Sequence, residues 1–422
     1  MRWIVVALGV AVPLPALAQT QIDIRDFCDP SLADHTTCIS DWIDKGRMSP
    51  GAVLFASAGE YRYRDKVVIY SGMRLRCAGP DRTLFKNQSP PSGDGAGDGT
   101  LLHATGHVDN VQISDCAFDV NKNATNFLAV ISINPQSDLA PSSRIRVRRN
   151  RFFDSQGTPA PPTKHNQRQY ILLANCRDCR VEDNQLRNGG RIKVGRPGWN
   201  IRILRNVVED ANDNAITVAD LNDGFSSDIL IADNRVIKPV GVGIYFGADS
   251  DVEKWPLMRL SNVRIRRNYI EGEWTVACIF GRLPFDTRLI RVTSNQCVRT
   301  SASLANSQTT GIQIRRSCEA FMPARDLAIR CNRISTSASG GTAVDLAGIY
   351  LIGLHSDVRI LENEVRSIGP RSILFRFADV TNARVQQNTL TGGVFRIEGT
   401  ASGDLQAHEQ APSSGAVWGC DA

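Results

Sequence analysis

Ile145-Arg-Val147-Arg-Arg-Asn150-Arg-Phe152, Cys179-Arg-Val181-Glu-Asp-Asn184-Gln-Leu186 and Ile201-Arg-Ile203-Leu-Arg-Asn206-Val-Val208 are one phrase written three times. It reads apolar, any, apolar, two residues, asparagine, any, apolar. Six further copies close on Asn234, Asn268, Asn295, Asn332, Asn363 and Asn388, and Val111 to Phe118 is an earlier copy with Cys116 in the asparagine slot. Successive asparagines lie 22 to 37 residues apart. A fixed phrase at variable spacing marks a coiled solenoid whose loops differ from turn to turn. Alternation before the asparagine says strand, and an asparagine followed by another inward apolar residue says that the chain turns a corner there. Stacked coils would align these corners into a ladder, each side-chain amide bonding its neighbours above and below. The phrase predicts an all-β chain, a right-handed single-stranded parallel β-helix, with handedness taken from the rule for parallel crossovers. A horseshoe or propeller would need near-constant spacing, which the spread denies.

Residues 1–18 read as a signal peptide: Arg2, an apolar run from Ile4 to Leu14, then Ala16-Leu17-Ala18. The run is too short to span a bilayer and no later stretch is long and apolar enough, so a secreted or periplasmic location is expected. Eleven cysteines suit an oxidising compartment. Cys28 and Cys38 flank one short segment. Cys77 and Cys116 fall at nearly equivalent corners of adjacent coils, and Cys176 and Cys179 sit close together. A lone Cys-x-x-Cys does not resemble a zinc site. Basic residues outnumber acidic ones 49 to 43, a net charge of +6. The excess is spread through Arg-rich phrases such as Arg264-Ile-Arg-Arg267, read as solvated outer faces of strands. Export disfavours nucleic acid. If a polyanion is bound, an acidic polysaccharide is the natural partner. Oligomeric state is not legible.

Ahead of the repeats, residues 19–80 form a cap and first coil. Asp34 to Asp44 fits a short amphipathic helix with Ile39, Trp42 and Ile43 on one face. Such a helix covers the open end of a solenoid, which otherwise exposes core and strand edges. Asp26-Phe27, Gly51-Ala-Val-Leu-Phe55, Gly59-Glu-Tyr61 and Ser71-Gly-Met-Arg-Leu75-Arg-Cys-Ala-Gly79 follow in order. Together they resemble the N-terminal signature of the pectate-lyase-like superfamily, whose usual Gly-Asp-Gly is here replaced by Cys28-Asp-Pro30. The resemblance implies the same fold. It leaves activity open, because that superfamily hosts lyases, hydrolases, epimerases and phage tailspikes. The β-helix is expected over 81–400 and a C-terminal tail over 401–422.

A second strand follows the asparagine phrase, often opening on glycine, as in Gly190-Arg-Ile-Lys-Val194, Gly243-Ile-Tyr-Phe246, Gly311-Ile-Gln-Ile314 and Gly348-Ile-Tyr-Leu351. Alternation points Ile192, Ile216, Ile244, Ile312, Ile349 and Ile373 inward, and stacks Lys193, Thr217, Tyr245, Gln313, Tyr350 and Leu374 outward in one row. In the lyases and polygalacturonases that the cap resembles, this third side carries the substrate groove. The loops 154–169, 248–260, 299–310, 316–326 and 335–347 flank it.

One patch of that row suits β-elimination from a uronic acid. Arg191 and Lys193 project from one coil, Asp213 lies diagonally from Arg191 at roughly 7–8 Å, and Tyr245 follows in the row of Lys193. A cation neutralises the substrate carboxylate, a lysine among cations has the lowered pKa that a base needs, and a phenol or guanidinium donates to the leaving oxygen. Catalysis is therefore expected of Lys193, Arg191, Tyr245 and Asp213, and substrate binding of Arg196, Gln313, Arg315 and Tyr350. Arg191-Ile192-Lys193 also matches the Arg-x-Lys motif of the polygalacturonase family, but the Asp-Asp pair and Gly-His-Gly of that family are missing. Asp220 and Asp249 are the best hydrolase pair, or half of a calcium site with Asp223 and Asp251; no other cofactor is implied. The Asp-Pro-His-Glu motif of the mannuronan epimerases is absent. His165 and His355 are placed in flanking loops without an assigned role. A secreted lyase acting on an acidic polysaccharide is the leading expectation. A hydrolase on the same groove and a non-catalytic carbohydrate-binding or structural β-helix are the alternatives.

Overall fold

Nine asparagine side chains, from Asn150 to Asn388, run in a single buried file up the molecule, each 7% exposed or less. From Asn184 onward the amide oxygen of each accepts two hydrogen bonds from the asparagine one coil earlier, one from its backbone N–H and one from its Nδ2, at 2.9–3.1 Å. Nδ2 donates its second hydrogen to a strand carbonyl, as Asn234 does to Ile203 O at 2.9 Å. Cys116 opens the file by giving its backbone N–H to Asn150 Oδ1 at 3.0 Å. A buried polar side chain is tolerated only when its bonds are made, and here every coil makes the bonds of the next.

These coordinates are a computed structural model that describes residues 19–88, 100–104, 106–121, 129–133, 140–155, 169–219, 224–248, 259–284, 286–300, 310–316, 323–336, 347–366, 371–391 and 394–405. All strands pair in parallel. A sheet of twelve short strands, from Gly59–Tyr63 to Thr389–Thr391, counts twelve coils, and a continuous 25-stranded sheet forms the other two sides. The chain is a right-handed parallel β-helix with a short N-terminal helix. The last strand, Val394–Leu405, carries the solenoid to Leu405 rather than to 400. The signal segment 1–18 and residues 406–422 of the expected tail lie outside the described residues.

The phrase strand is bracketed by two corners. The residue before each ladder position, from Asp115 to Gln387, has φ between 52° and 65°. The residue five places earlier, from Asn110 to Asn382, has φ between 51° and 59°. This left-handed backbone costs an L-residue roughly 1–2 kcal/mol, least for asparagine and aspartate. Asn or Asp fills eight of the ten earlier corners, the exceptions being Arg144 and Leu289. At the later corner the bulkier residues pair across coils: Arg149, Arg205 and Arg267 each clasp the aspartate before them (Asp115, Asp183, Asp233) through two bonds of 2.7–2.9 Å.

Inside, Ile192, Ile216, Ile244, Ile279, Ile312, Ile349 and Ile373 stack in register with no exposed surface. Tyr61, Phe85, Phe118, Phe152 and Tyr170 form a second column, ring centroids 5.0–6.1 Å apart. The opening glycines have a packing reason. A Cβ at Gly311 would sit 2.5 Å from Ile334 Cγ2 and from Gly348 O, and one at Gly243 2.5 Å from Cys278 O. At the open end, the helix Thr36–Arg47 buries Ile39, Trp42 and Ile43, and Trp42 Nε1 donates to Ile22 O at 2.9 Å. Among the described residues four cysteine pairs stand at disulfide distance: Cys28 with Cys38, Cys77 with Cys116, Cys176 with Cys179, and Cys278 with Cys297. The last was not foreseen.

Replacing Asn234 by alanine strands the N–H groups of Asn206 and the carbonyls of Ile203 and Ala232 together. Unmet buried groups cost about 1–3 kcal/mol each, so Asn234→Ala should lose about 3 kcal/mol or more in denaturant unfolding. Asn388→Ala, at the end of the ladder with one asparagine neighbour, should lose less than half of that.

Candidate functional site

The third side is built from strands that follow the short sheet on each coil, and their register is continuous. Leu172, Lys193, Thr217, Tyr245, Phe280, Gln313 and Tyr350 form one outward row. Two residues further along, Gly195 and Gly247 give way to Arg282, Arg315 and Ile352. The row therefore changes character midway, from small and aliphatic neighbours to aromatic rings flanked by arginines.

The four residues expected to act together are divided. Arg191 and Asp213 meet, Nη1 to Oδ2 at 2.7 Å, but the Arg191 side chain is only 3% exposed, against 25% for Asp213. The Arg191 guanidinium is thus covered and already paired with a carboxylate. Lys193 and Tyr245 do share a row, yet Thr217 stands between them, so their backbones are about 10 Å apart. The ring of Tyr245 lies on Phe280, one coil further from Lys193, with centroids 5.3 Å apart and planes 12° from parallel. Its hydroxyl donates to Ala248 O. Tyr245 is built into an aromatic platform, not aimed at Lys193.

Phe280 is the residue that sequence reading missed. The strand Ala277–Leu283 has no opening glycine, so its coil was passed over, although a third-side strand must lie between the ladder positions Asn268 and Asn295. With it come Arg282 and the Cys278–Cys297 pair. Arg282 and Arg315 face each other across adjacent strands, both half-buried. The Nε of each is buried with no hydrogen-bond partner among the described residues. Both side chains stay partly exposed, and an exposed guanidinium fork bonds a carboxylate. Tyr350 is half-buried on the next coil. Gln313 is largely covered, its Oε1 accepting from Thr310 Oγ1 at 3.3 Å.

The side chain of Arg196 and the residues Asp220, Asp223, Asp249 and Asp251 lie outside the described residues, as does His165. Among the described residues no group of three or more His, Cys, Asp or Glu stands together to hold a metal ion. A concavity of about 270 Å³ on the short sheet is lined by Gln296, Arg333, Ser335, Glu364 and Arg366. Its single glutamate, Glu364, pairs with both of its arginines, Arg333 at 3.0 Å and Arg366 at 2.6 Å.

No protein-family model matches the chain, and no curated protein matches it. Solved structures do. The surface adhesin PfbA of Streptococcus pneumoniae superposes with a TM-score of 0.64 at 13% identity, over 90% of this chain and 93% of that one. The A-module of the mannuronan C-5 epimerase AlgE6 of Azotobacter vinelandii gives 0.60 at 16% identity, over 92% of this chain and all of that one. The N-terminal fragment of bacteriophage Phi29 gene product 12 gives 0.54 at 12% identity, over 93% and 73%. At such identities the likeness is one of fold, and these neighbours are parallel β-helix proteins.

His355, expected in a loop, instead opens the strand His355–Leu361 and is fully buried, Nε2 3.0 Å from Ile352 O. Burial pushes its pKa down to about 4, and Arg316 adds to the effect. The unfolded imidazole titrates near 6.5. Because the folded value is the lower, the contribution is fully present above about pH 6.5 and is lost as pH falls toward 4. Across that window the wild type should lose about 3 kcal/mol of unfolding free energy that His355→Gln does not lose. Denaturant titrations of both proteins at stepped pH check this.

Proposed function

We propose that the protein is an exported, carbohydrate-binding β-helix that holds an acidic polysaccharide on its third side. The observation that carries this reading is the platform on three successive coils. Tyr245 and Phe280 stack as a partly exposed aromatic pair, and Arg282 and Arg315, also partly exposed, lie beside them. Aromatic faces pack against the C–H faces of sugar rings, and guanidinium forks take carboxylates in two-point contact. Coils repeat at about 4.8 Å, close to the length of one pyranose unit, so consecutive sugars would meet consecutive coils. The disulfide-distance cysteine pairs fit the exported location that the signal segment suggests. No helix among the described residues is long and apolar enough to cross a membrane.

The resemblance of the cap to the pectate-lyase-like superfamily supports a second reading, in which the same face cleaves its polymer by β-elimination. Lys193 stands outward in the row of the platform, two residues along the strand from Arg191, which pairs with Asp213. Lys193 would be the base, with Arg191 and Asp213 as positioning residues and the platform holding the adjacent sugars.

Binding of a short galacturonate oligomer, followed by calorimetry, tests the first reading. Phe280→Ala should weaken it about tenfold or more, as the loss of a central aromatic anchor does; unchanged affinity would remove the platform from the site. The second is tested by ultraviolet absorbance of the unsaturated sugar that elimination leaves. Turnover of a polyuronide should fall at least about a hundredfold in Lys193→Ala with the melting temperature kept, and Lys193→Arg should not restore it. A Lys193→Ala protein that keeps more than about a tenth of wild-type turnover would exclude Lys193 as the base.

A further inference from the structure

The phrase strands form a face of their own, distinct from the third side. Between its two left-handed corners each has four residues, the first and third turned inward and the second and fourth outward, as in Ile145 to Arg148. Register therefore stacks the outward residues into two straight rows. The first runs from Arg74 to Arg384 over eleven coils, and eight of its positions are arginine. Arg146 faces Arg180, Arg180 faces Arg202, Arg264 faces Arg291, and Arg359 faces Arg384. The second row, from Arg76 to Gln386, adds four arginines and one glutamate, Glu182. Twelve arginines against one acid give this face more positive charge than the net +6 of the whole chain.

Such a face is not the cheapest surface for a sheet. Like charges directly opposite each other on neighbouring strands are destabilising, and the remedy is used elsewhere in this molecule. At the adjoining corner row, arginines alternate with aspartates and pair with them. On the face itself Arg146, Arg180, Arg202 and Arg291 make no ion pair among the described residues, and Arg266 Nε is buried without a partner among them. The row is one guanidinium wide and straight, and ten coil steps make it about 48 Å long.

We infer that this face is a track for a linear polyuronate, lying along the solenoid axis with carboxylates of the chain matched to the arginines that nine of the eleven coils carry. The shape argues for a polymer: guanidinium forks bind carboxylates bidentately, and the coil repeat of about 4.8 Å suits one uronate unit. Duplex nucleic acid presents one phosphate per roughly 1.7 Å of axis, a poor match to this repeat. None of the large exposed hydrophobic side chains falls in the two rows, which is unlike a membrane-seating surface. The track does not depend on the third-side site. It would hold the protein on a long chain whether or not that site binds or cleaves it.

The test uses the full chain and polygalacturonate, with affinity measured by biolayer interferometry across a series of sodium chloride concentrations. Wild type should bind with a steep fall of log affinity against log salt. The triple variant Arg146→Gln, Arg180→Gln, Arg202→Gln should bind at least about tenfold more weakly at low salt, its slope shallower by about one for each arginine removed. Arg180→Gln alone should lower the slope by about one, which decides the matter should the triple variant fail to fold. A charge-matched control, Lys45→Gln, Lys66→Gln, Lys238→Gln, removes exposed lysines from other faces and should stay within twofold of wild type. Phe280→Ala should keep the polymer's salt slope while losing the short oligomer, so failure of the track and failure of the third-side site read out separately. Unchanged slope and affinity in the arginine variants overturns the track, and so does an equal loss in the lysine control. Arginine-dependent binding that is tighter to duplex DNA or to phosphatidylserine vesicles than to polygalacturonate also overturns it.

Discussion

The structure depends on one repeated exchange: an asparagine oxygen that takes two N–H groups from the coil before it. Each coil turns through two left-handed corners occupied mostly by residues with a Cβ, at a cost of roughly 1–2 kcal/mol apiece. Nothing within a single coil repays that. The ladder does, because it places the asparagine amide where the chain bends and meets its hydrogen-bonding capacity mainly from neighbouring coils. The bonds are buried, so breaking one leaves groups that water does not reach. The corner conformation is thus a property of the stack rather than of the local sequence, and stability passes from neighbour to neighbour as in other solenoids.

Fixing one corner fixes the register of everything else. Loops of very different length leave each coil, yet the strands return to the same stations, because the asparagine and the inward isoleucine that follows one side later are both pinned. Outward residues then have no choice but to form rows. The aromatic platform with its arginines is one such row, and the arginine track is another, a different side of the same coils. Function on this fold is a matter of which residue types the alternation sends outward on successive coils.

Much of this could be read in the chain. The asparagine phrase gave nine rungs and the strand before each, and alternation gave the inward isoleucines on the strands it recognised. What was hidden had physical causes. The coil of Ile279 and Phe280 lacks the glycine that opens its neighbours and has in its place Cys278, whose sulfur is at disulfide distance from Cys297. The earlier left-handed corner was marked by Asn or Asp on eight of ten coils, a signal visible only once the phrase is aligned to its second turn. Burial was beyond reach. Arg191 alternates outward in the sequence but is covered in the fold, where it serves Asp213, and His355 reads as a loop residue but lies in the core. Tyr245 was correctly placed in the row; its commitment to Phe280 required knowing that Phe280 was there.

Hydrogen exchange followed by mass spectrometry, with and without polygalacturonate, tests most directly whether the ladder sets the register on which the binding faces are displayed. The free protein should show its slowest exchange at the ladder corners, in peptides spanning Asn206 to Asn332. Added polymer should slow exchange further in the third-side strands Val242–Gly247, Ala277–Leu283 and Thr310–Arg316 and along the phrase strands that carry the arginines. Fast exchange at the ladder, or polymer protection confined to the short sheet around Arg333 and Glu364, would contradict the account.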